Sequence, residues 1–317
     1  MLRPSWKIDV PGKPIVIGTR ASELALVQTN EVMSLLQLVF PEAEFQMSKV
    51  ATHGDIRSSD PIVNLGIGAF VKELETALLQ GKIDAAVHSL KDVPTSQPDG
   101  LVVNTIARRE DPRDALVNRW DAPLDKLPAG ARIGTGSPRR AAQLRHLRPD
   151  LKVSPVRGNV TTRLSKARGQ DLDGVIVALA GLRRLGQEKA AAQVFPPDVM
   201  LPAPGQGALA METRLEDDNL AAMMRAVQDS ATDISVRAER ALLALLGAGC
   251  RAPFGAYAFV NGDTLTLTAM LADEKGSQLY RVTALGDTAG PDAVAQEAHR
   301  KLMEAGASSL VGPSGGV

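Results

Sequence analysis

The sequence predicts two similar α/β domains followed by a smaller α+β domain with an antiparallel sheet. Three observations carry this expectation. Short apolar runs alternate with helical patterns over the first two-thirds of the chain, which is the rhythm of βαβ units. That rhythm occurs twice, with the polar stretch at residues 108–114 between the two sets. From residue 235 the order becomes helix, strands, helix without crossovers, which suits an antiparallel sheet. At roughly 100–200 residues per domain, 317 residues leave room for two or three.

In the first set, residues 15–19 read as a strand. Ser22 then caps a helix with apolar positions at Leu24, Leu26, Val27, Met33, Leu35 and Leu36. Residues 45–51 read as a second strand, and 70–79 as a helix with the charged face KELE. Residues 83–87 read as a buried strand and 101–107 as another, giving a mostly parallel sheet covered by helices. In the second set, 132–134, 151–154 and 174–180 are strands, and 138–147 and 160–167 are helices. This set matches the first in type and size, without a direct sequence repeat. Folds of this kind bind ligands in a cleft, at the carboxyl ends of strands. In the last section, 235–246 is a helix ending in GAGC, 254–260, 264–271 and 278–284 are strands, and 292–305 is a final helix. The glycine-rich tail is expected to fray.

Composition narrows the function. Lys+Arg and Asp+Glu are both 36, so there is no global basic field for nucleic acid, and 3% aromatics offer no base-stacking surface. One cysteine excludes an internal disulfide framework and a multi-cysteine metal site, and the four scattered histidines show no metal-ligand spacing. No apolar run reaches the ~18–20 residues of a membrane span, and the N-terminus has no secretory h-region. A cytoplasmic protein is expected.

Any anion site must therefore come from local arginines. Arg139 and Arg140 open a helix after the turn Gly134-Thr135-Gly136-Ser137. Cations are disfavoured there by about 0.3–1 kcal/mol each, unless a carboxylate or phosphate shares the place. A solvated charged turn is the plainer reading. Arg157-Gly158-Asn159 with Arg163, Arg20 with Ser22, and Arg183 with Arg184 repeat the pattern after other strands. Convergence of these arginines would make a polyanion site, and the arginine fork suits carboxylates. No GxxxxGK[ST] loop supports a nucleotide. The segment His88-Ser89-Leu90-Lys91-Asp92-Val93-Pro94 closes a buried strand. Asp92 suits either a surface pair with Lys91 or a carboxylate that meets positive charge on a substrate. His88 reads as a hydrogen-bonded structural residue. Cys250, on a loop between glycines and Arg251-Ala252-Pro253, suits either a small buried hydrophobe or a reactive thiol.

Together these segments resemble one family, the hydroxymethylbilane synthases, or porphobilinogen deaminases. The matching stretches include GTRASELALVQ (18–28), FVKELETALL (70–79), DAAVHSLKDVP (84–94), REDPRDAL (109–116) and GTGSPRR (134–140). VRGNVTTRLSK (156–166), ALAGLRRLG (178–186), LPAPGQGALA (201–210) and GAGCRAPFGAYA (247–258) continue them in the family order. The resemblance implies two periplasmic-binding-protein-like α/β domains plus the small α+β domain. It places domain 1 at 1–107 and 206–228, domain 2 at 108–205 and domain 3 at 229–317. It implies that four porphobilinogens are joined head to tail with loss of ammonia, giving a linear tetrapyrrole. A dipyrromethane cofactor, held by a thioether to Cys250, primes the chain. By motif position, Asp92 is the catalytic residue. Ser89, Lys91, Thr135, Ser137, Arg139 and Arg140 face the cofactor. Arg20, Ser22, Gln28, Arg157, Asn159, Arg163, Arg184 and Gln206 face the incoming ring or growing chain. A monomer needing no metal, membrane or nucleic acid is expected.

Two departures are local. Ile67 stands where the family often has a lysine, and Gly136 where serine is frequent. A non-catalytic, two-lobed small-anion binding protein is the alternative, and it has no use for Asp92 or Cys250.

Overall fold

The computed structural model describes residues 12–50, 71–247 and 253–311. The first α/β set runs β1 (Ile15–Arg20), α1 (Glu23–Val39), β2 (Phe45–Val50), α2 (Lys72–Leu79), β3 (Ala85–Ser89) and β4 (Leu101–Ile106). The second runs β5 (Asp114–Asn118), β6 (Arg132–Gly134), α3 (Pro138–Leu147), β7 (Lys152–Ser154), α4 (Val160–Lys166), β8 (Gly174–Ala178), α5 (Leu179–Arg184) and β9 (Gln193–Val194). Then follow β10 (Leu209–Arg214), α6 (Asp218–Val227), α7 (Ser230–Leu245), β11 (Phe254–Asn261), β12 (Thr264–Ala272), β13 (Leu279–Asp287) and α8 (Pro291–Glu304). These form two compact units, Met1–Arg109 with Ala208–Asp233, and Glu110–Gly207 with Ile234–Val317.

The first unit is built on a five-stranded sheet in the order β2-β1-β3-β10-β4. β1 pairs in parallel with β2 and β3, while β10 runs antiparallel to β3 and β4. One face buries Ile15, Ile17, Val87, Met211 and Val32 of α1 with Met223 and Met224 of α6. The other buries Ala86 and Ile83 under Leu74 and Leu78 of α2. The helices therefore cover both faces, as strands that are apolar on both sides require.

The second unit holds a sheet with the same plan, β7-β6-β8-β5-β9. Parallel β7-β6-β8 pairing gives way to antiparallel β8-β5-β9. Each sheet is thus mixed, where the periodicity predicts a mostly parallel one. The difference lies in β5 and β10, two strands absent from the sequence-based reading, each with a charged residue in a buried position. Residues 174–180, expected as one strand, end at Ala178 and turn into α5.

Asp173 precedes β8 and ties it to β6. It accepts the Arg132 backbone N–H at 2.8 Å and Arg132 Nε and Nη2 at 3.0 and 2.9 Å. The side-chain hydrogen bond from Arg132 holds its carboxyl down at about 2. A carboxyl lowered in the folded state stabilises the fold above its unfolded value, near 4, and that gain is lost as pH falls through about 2. Asp173→Asn should be less stable than wild type at pH 7, and the gap should close between about pH 4 and pH 2. Urea midpoints across that range check this, and a gap that does not change with pH contradicts it.

The C-terminal sheet, β11-β12-β13, is antiparallel throughout. It buries Ala256, Leu267, Leu271 and Ala284 against Leu242 of α7 and Ala295, Ala298 and Leu302 of α8. Within the second unit it also reaches α3. Ala142 and Leu201 pack on Met270 and Ala272, and Arg145 Nη1 donates to the Glu274 carbonyl at 2.6 Å. Gly276 is left-handed (φ +73) and its Cα lies against α3, where a Cβ would stand 2.3 Å from the Ala142 carbonyl.

Candidate active site

In the first unit the predicted residues gather at the ends of β1 and β3. β1 ends at Arg20, and Ser22 caps α1 by accepting the Ala25 N–H at 3.4 Å. One turn on, Gln28 is buried, and its amide exchanges hydrogen bonds with Ser89 at 2.8 and 3.1 Å. Ser89 is the last residue of β3, followed by a single 3₁₀ turn, Leu90–Asp92. Leu90 is buried and donates its N–H to the Ala208 carbonyl at 3.0 Å, and Val93 is buried beyond the turn. Lys91 and Asp92 are left exposed on it. An exposed carboxylate on a turn with buried anchors on both sides is accessible, on a backbone that is held in place. His88 is buried and its Nε2 lies 3.0 Å from Glu212 Oε2, which supports its reading as a structural histidine.

In the second unit, Thr135 and Ser137 build the turn that opens α3. Thr135 Oγ1 accepts the Ser137 N–H at 3.2 Å, and Ser137 Oγ accepts the Arg140 N–H at 3.4 Å, with Pro138 in the first turn. Gly136 has a steric reason, because a Cβ would lie 2.9 Å from the Val156 carbonyl, with Arg163 Nη2 at 4.0 Å.

Arg139 and Arg140 are each 4% exposed and point into the unit rather than into solvent, which rules out a solvated turn. Both reach Asp114, the fully buried first residue of β5. Arg139 Nη1 donates to Oδ2 at 2.7 Å, and Arg140 Nε and Nη2 donate to Oδ1 at 2.9 and 2.6 Å. Gln206 completes the cluster, donating to Asp114 Oδ1 at 2.9 Å and accepting from Arg140 Nη2 at 3.3 Å. Burial pushes the Asp114 carboxyl up, but the charges of Arg139 and Arg140 outweigh it and hold the group well below the usual carboxylate range. Burial lowers Arg139, Asp114 opposes this, and the neighbouring charge of Arg140 adds to the lowering. Two guanidiniums thus share one carboxylate in a dry place, a net positive charge. The Arg139 Nε–H is buried without an acceptor among the described residues.

The remaining arginines of this unit sort by partner. Arg183 is held by Glu110 and Glu188, both at 2.8 Å, with Asp111 at 3.5 Å. Arg184 instead donates to the Gly207 carbonyl at 3.2 Å. Asn159 caps α4 by accepting the Thr162 N–H at 2.8 Å, Arg163 Nε donates to the Gly158 carbonyl at 2.9 Å, and Arg157 is half-buried beside them. Cys250, Arg251 and Ile67 lie outside the described residues. Asp114 and Glu212 are the residues that sequence reasoning missed. The available signal was charge balance, since two arginines buried in a helix start require an anion.

Among the described residues no cluster of three or more metal-ligating side chains occurs, and no helix is long and apolar enough to cross a membrane. Residues 15–222 match the family described as "Porphobilinogen deaminase, dipyromethane cofactor binding domain", and residues 234–304 match "Porphobilinogen deaminase, C-terminal domain". A porphobilinogen deaminase of Syntrophus aciditrophicus is 44% identical over 296 residues, covering 93% of this chain and 97% of that one. One from Deinococcus radiodurans is 45% identical over 304 residues, covering 94% and 98%. Among solved structures the chain is similar to the methionine binding protein MetQ, at 12% identity and a TM-score of 0.44, over 68% of this chain and 90% of that one. The strands of all three sheets, and the buried arginine pair within the second unit, fall inside the matched stretches, and the chain belongs to the porphobilinogen deaminase family.

Proposed function

We propose that this chain is a deaminating transferase that condenses four porphobilinogens head to tail into hydroxymethylbilane. Beside the family match, the observation that carries this reading is the buried cluster of Arg139, Arg140 and Asp114. Its net positive charge and the unfilled Nε–H of Arg139 call for an anion. A dipyrromethane built from two porphobilinogens carries acetate and propionate groups, so the residues fit it. When bound, it supplies the priming end on which pyrrole units are added.

Cys250 holds that group by a thioether. Arg139 and Arg140, with Ser137, Thr135, Ser89 and Lys91, bind its carboxylates. Arg20, Ser22, Gln28, Arg157, Asn159, Arg163, Arg184 and Gln206 bind the incoming ring or the lengthening chain, whose charge grows with every addition. Asp92 accepts hydrogen bonds from pyrrole N–H groups. Its carboxylate then stabilises the positive charge that develops on porphobilinogen as ammonia leaves. In this proposal residues 229–317 form a third domain with its own core, and the chain works as a cytoplasmic monomer without metal. A thiol that must stay free to form a thioether suits a reducing compartment.

The test is an intact mass of the purified protein. Wild type should exceed its sequence mass by one dipyrromethane, and Cys250→Ser should lack that excess and all turnover. A fully active wild type of unmodified mass contradicts the reading.

A further inference from the structure

Glu212 lies in the interior of β10, opposite Ala86 of β3 and Val103 of β4, and is fully buried. Removing a carboxylate from water is costly, and apolar residues of similar volume are commonly as stable in such a place. The fold alone gives no reason for an acid there. Its Oε2 lies 3.0 Å from His88 Nε2, and its Oε1 meets no donor among the described residues. Glu75 of α2 faces the same pair. Burial first, then the charge of Glu212, push the Glu75 carboxyl up, while His88 and Lys72 pull it down. Titratable side chains from α2, β3 and β10 therefore feel one another's charge near the end of β3.

That end carries Asp92, four residues after His88. The turn is already tied to α1 by Gln28 and to the returning chain by Ala208. The His88–Glu212 contact is a further tie, and it acts on the residue just before Ser89. We infer that Glu212 is a positioning residue, which through His88 fixes the end of β3 and with it the direction of the Asp92 carboxylate. This rests on the role proposed above for Asp92.

The holoenzyme with His88→Leu and Glu212→Leu together separates positioning from stability. It should carry the full cofactor mass and melt at or above the wild-type temperature. Its kcat should fall about tenfold or more at unchanged KM, the pattern of a misdirected reacting group. Glu212→Gln, which keeps a hydrogen-bonding partner for His88, should stay within about threefold of wild type. A double variant that turns over within threefold of wild type overturns the inference. So does a kcat that merely follows a falling melting temperature in both variants. Should the double variant not fold, Glu212→Met, which removes the hydrogen bond to His88 and leaves no buried carboxylate unpaired, decides. A tenfold loss of kcat at unchanged KM supports the inference, and wild-type turnover overturns it. Asp92→Ala is assayed alongside. Normal turnover there overturns the role of Asp92 and this inference together, whereas poor turnover there with a normal double variant overturns this inference alone.

Discussion

Asp114→Ala should lose about 3–5 kcal/mol of stability, because it leaves two buried guanidiniums facing each other with no carboxylate between them. The loss exceeds that of an ordinary core substitution, since Arg139, Arg140 and Gln206 all direct hydrogen bonds at the one Asp114 side chain. Asp114→Asn keeps the shape and some of the acceptors, yet raises the net charge of the cluster by one. Its melting temperature should therefore rise more on adding sulfate than that of wild type does, because the added anion binds the uncompensated folded state. Urea unfolding of the alanine variant, and sulfate titration of the asparagine variant, check the two halves. A loss below about 1 kcal/mol for Asp114→Ala, the size of an ordinary surface change, contradicts the account.

Asp92→Ala should show the opposite balance. Asp92 is exposed and its removal creates no buried charge, so stability should change by no more than about 0.5 kcal/mol. The cofactor mass should remain. Turnover should fall on the order of 10²–10³-fold, the cost of deleting one preorganised group aimed at developing charge. The drop should lie in kcat, since in the proposed role the carboxylate acts most strongly once ammonia is leaving. Near-normal turnover removes Asp92 from its role. Together the two substitutions separate an acid that holds the site from an acid that acts in it.

Much of the first unit is legible from local pattern. Ser22 before an apolar-periodic run marks the start of α1, and the short apolar run at residues 15–19 marks β1, because both signals lie within one element. Pro138 after Ser137 marks α3 in the same way. The arginine pair was legible as a problem but not as a solution. Helix-end electrostatics demand an anion near Arg139 and Arg140, and the structure supplies Asp114 from a strand 25 residues earlier. Asp114 and Glu212 were hidden for a common reason. Each is an acidic residue in a buried strand whose hydrogen-bonding partner comes from another element, so local polarity argues for a loop. β10 adds a topological reason, since it pairs with β3 and β4 from across the whole second α/β set.

The place of β10 also sets an order of assembly. It lies between β3 and β4, so the first sheet cannot close until residues 209–214 exist. Ninety-eight residues, 110–207, are made between the two parts of that unit, and at about 5–20 residues per second this takes on the order of 5–20 s. Through that interval β3 and β4 emerge with unpaired edges, the kind of surface that recruits strands from other chains. The second sheet has no such gap, because β5 to β9 come from one continuous stretch, 114–194. The half of the enzyme that leaves the ribosome first is thus the half that must wait, and its exposure to chaperones and to misassembly is written into the chain order.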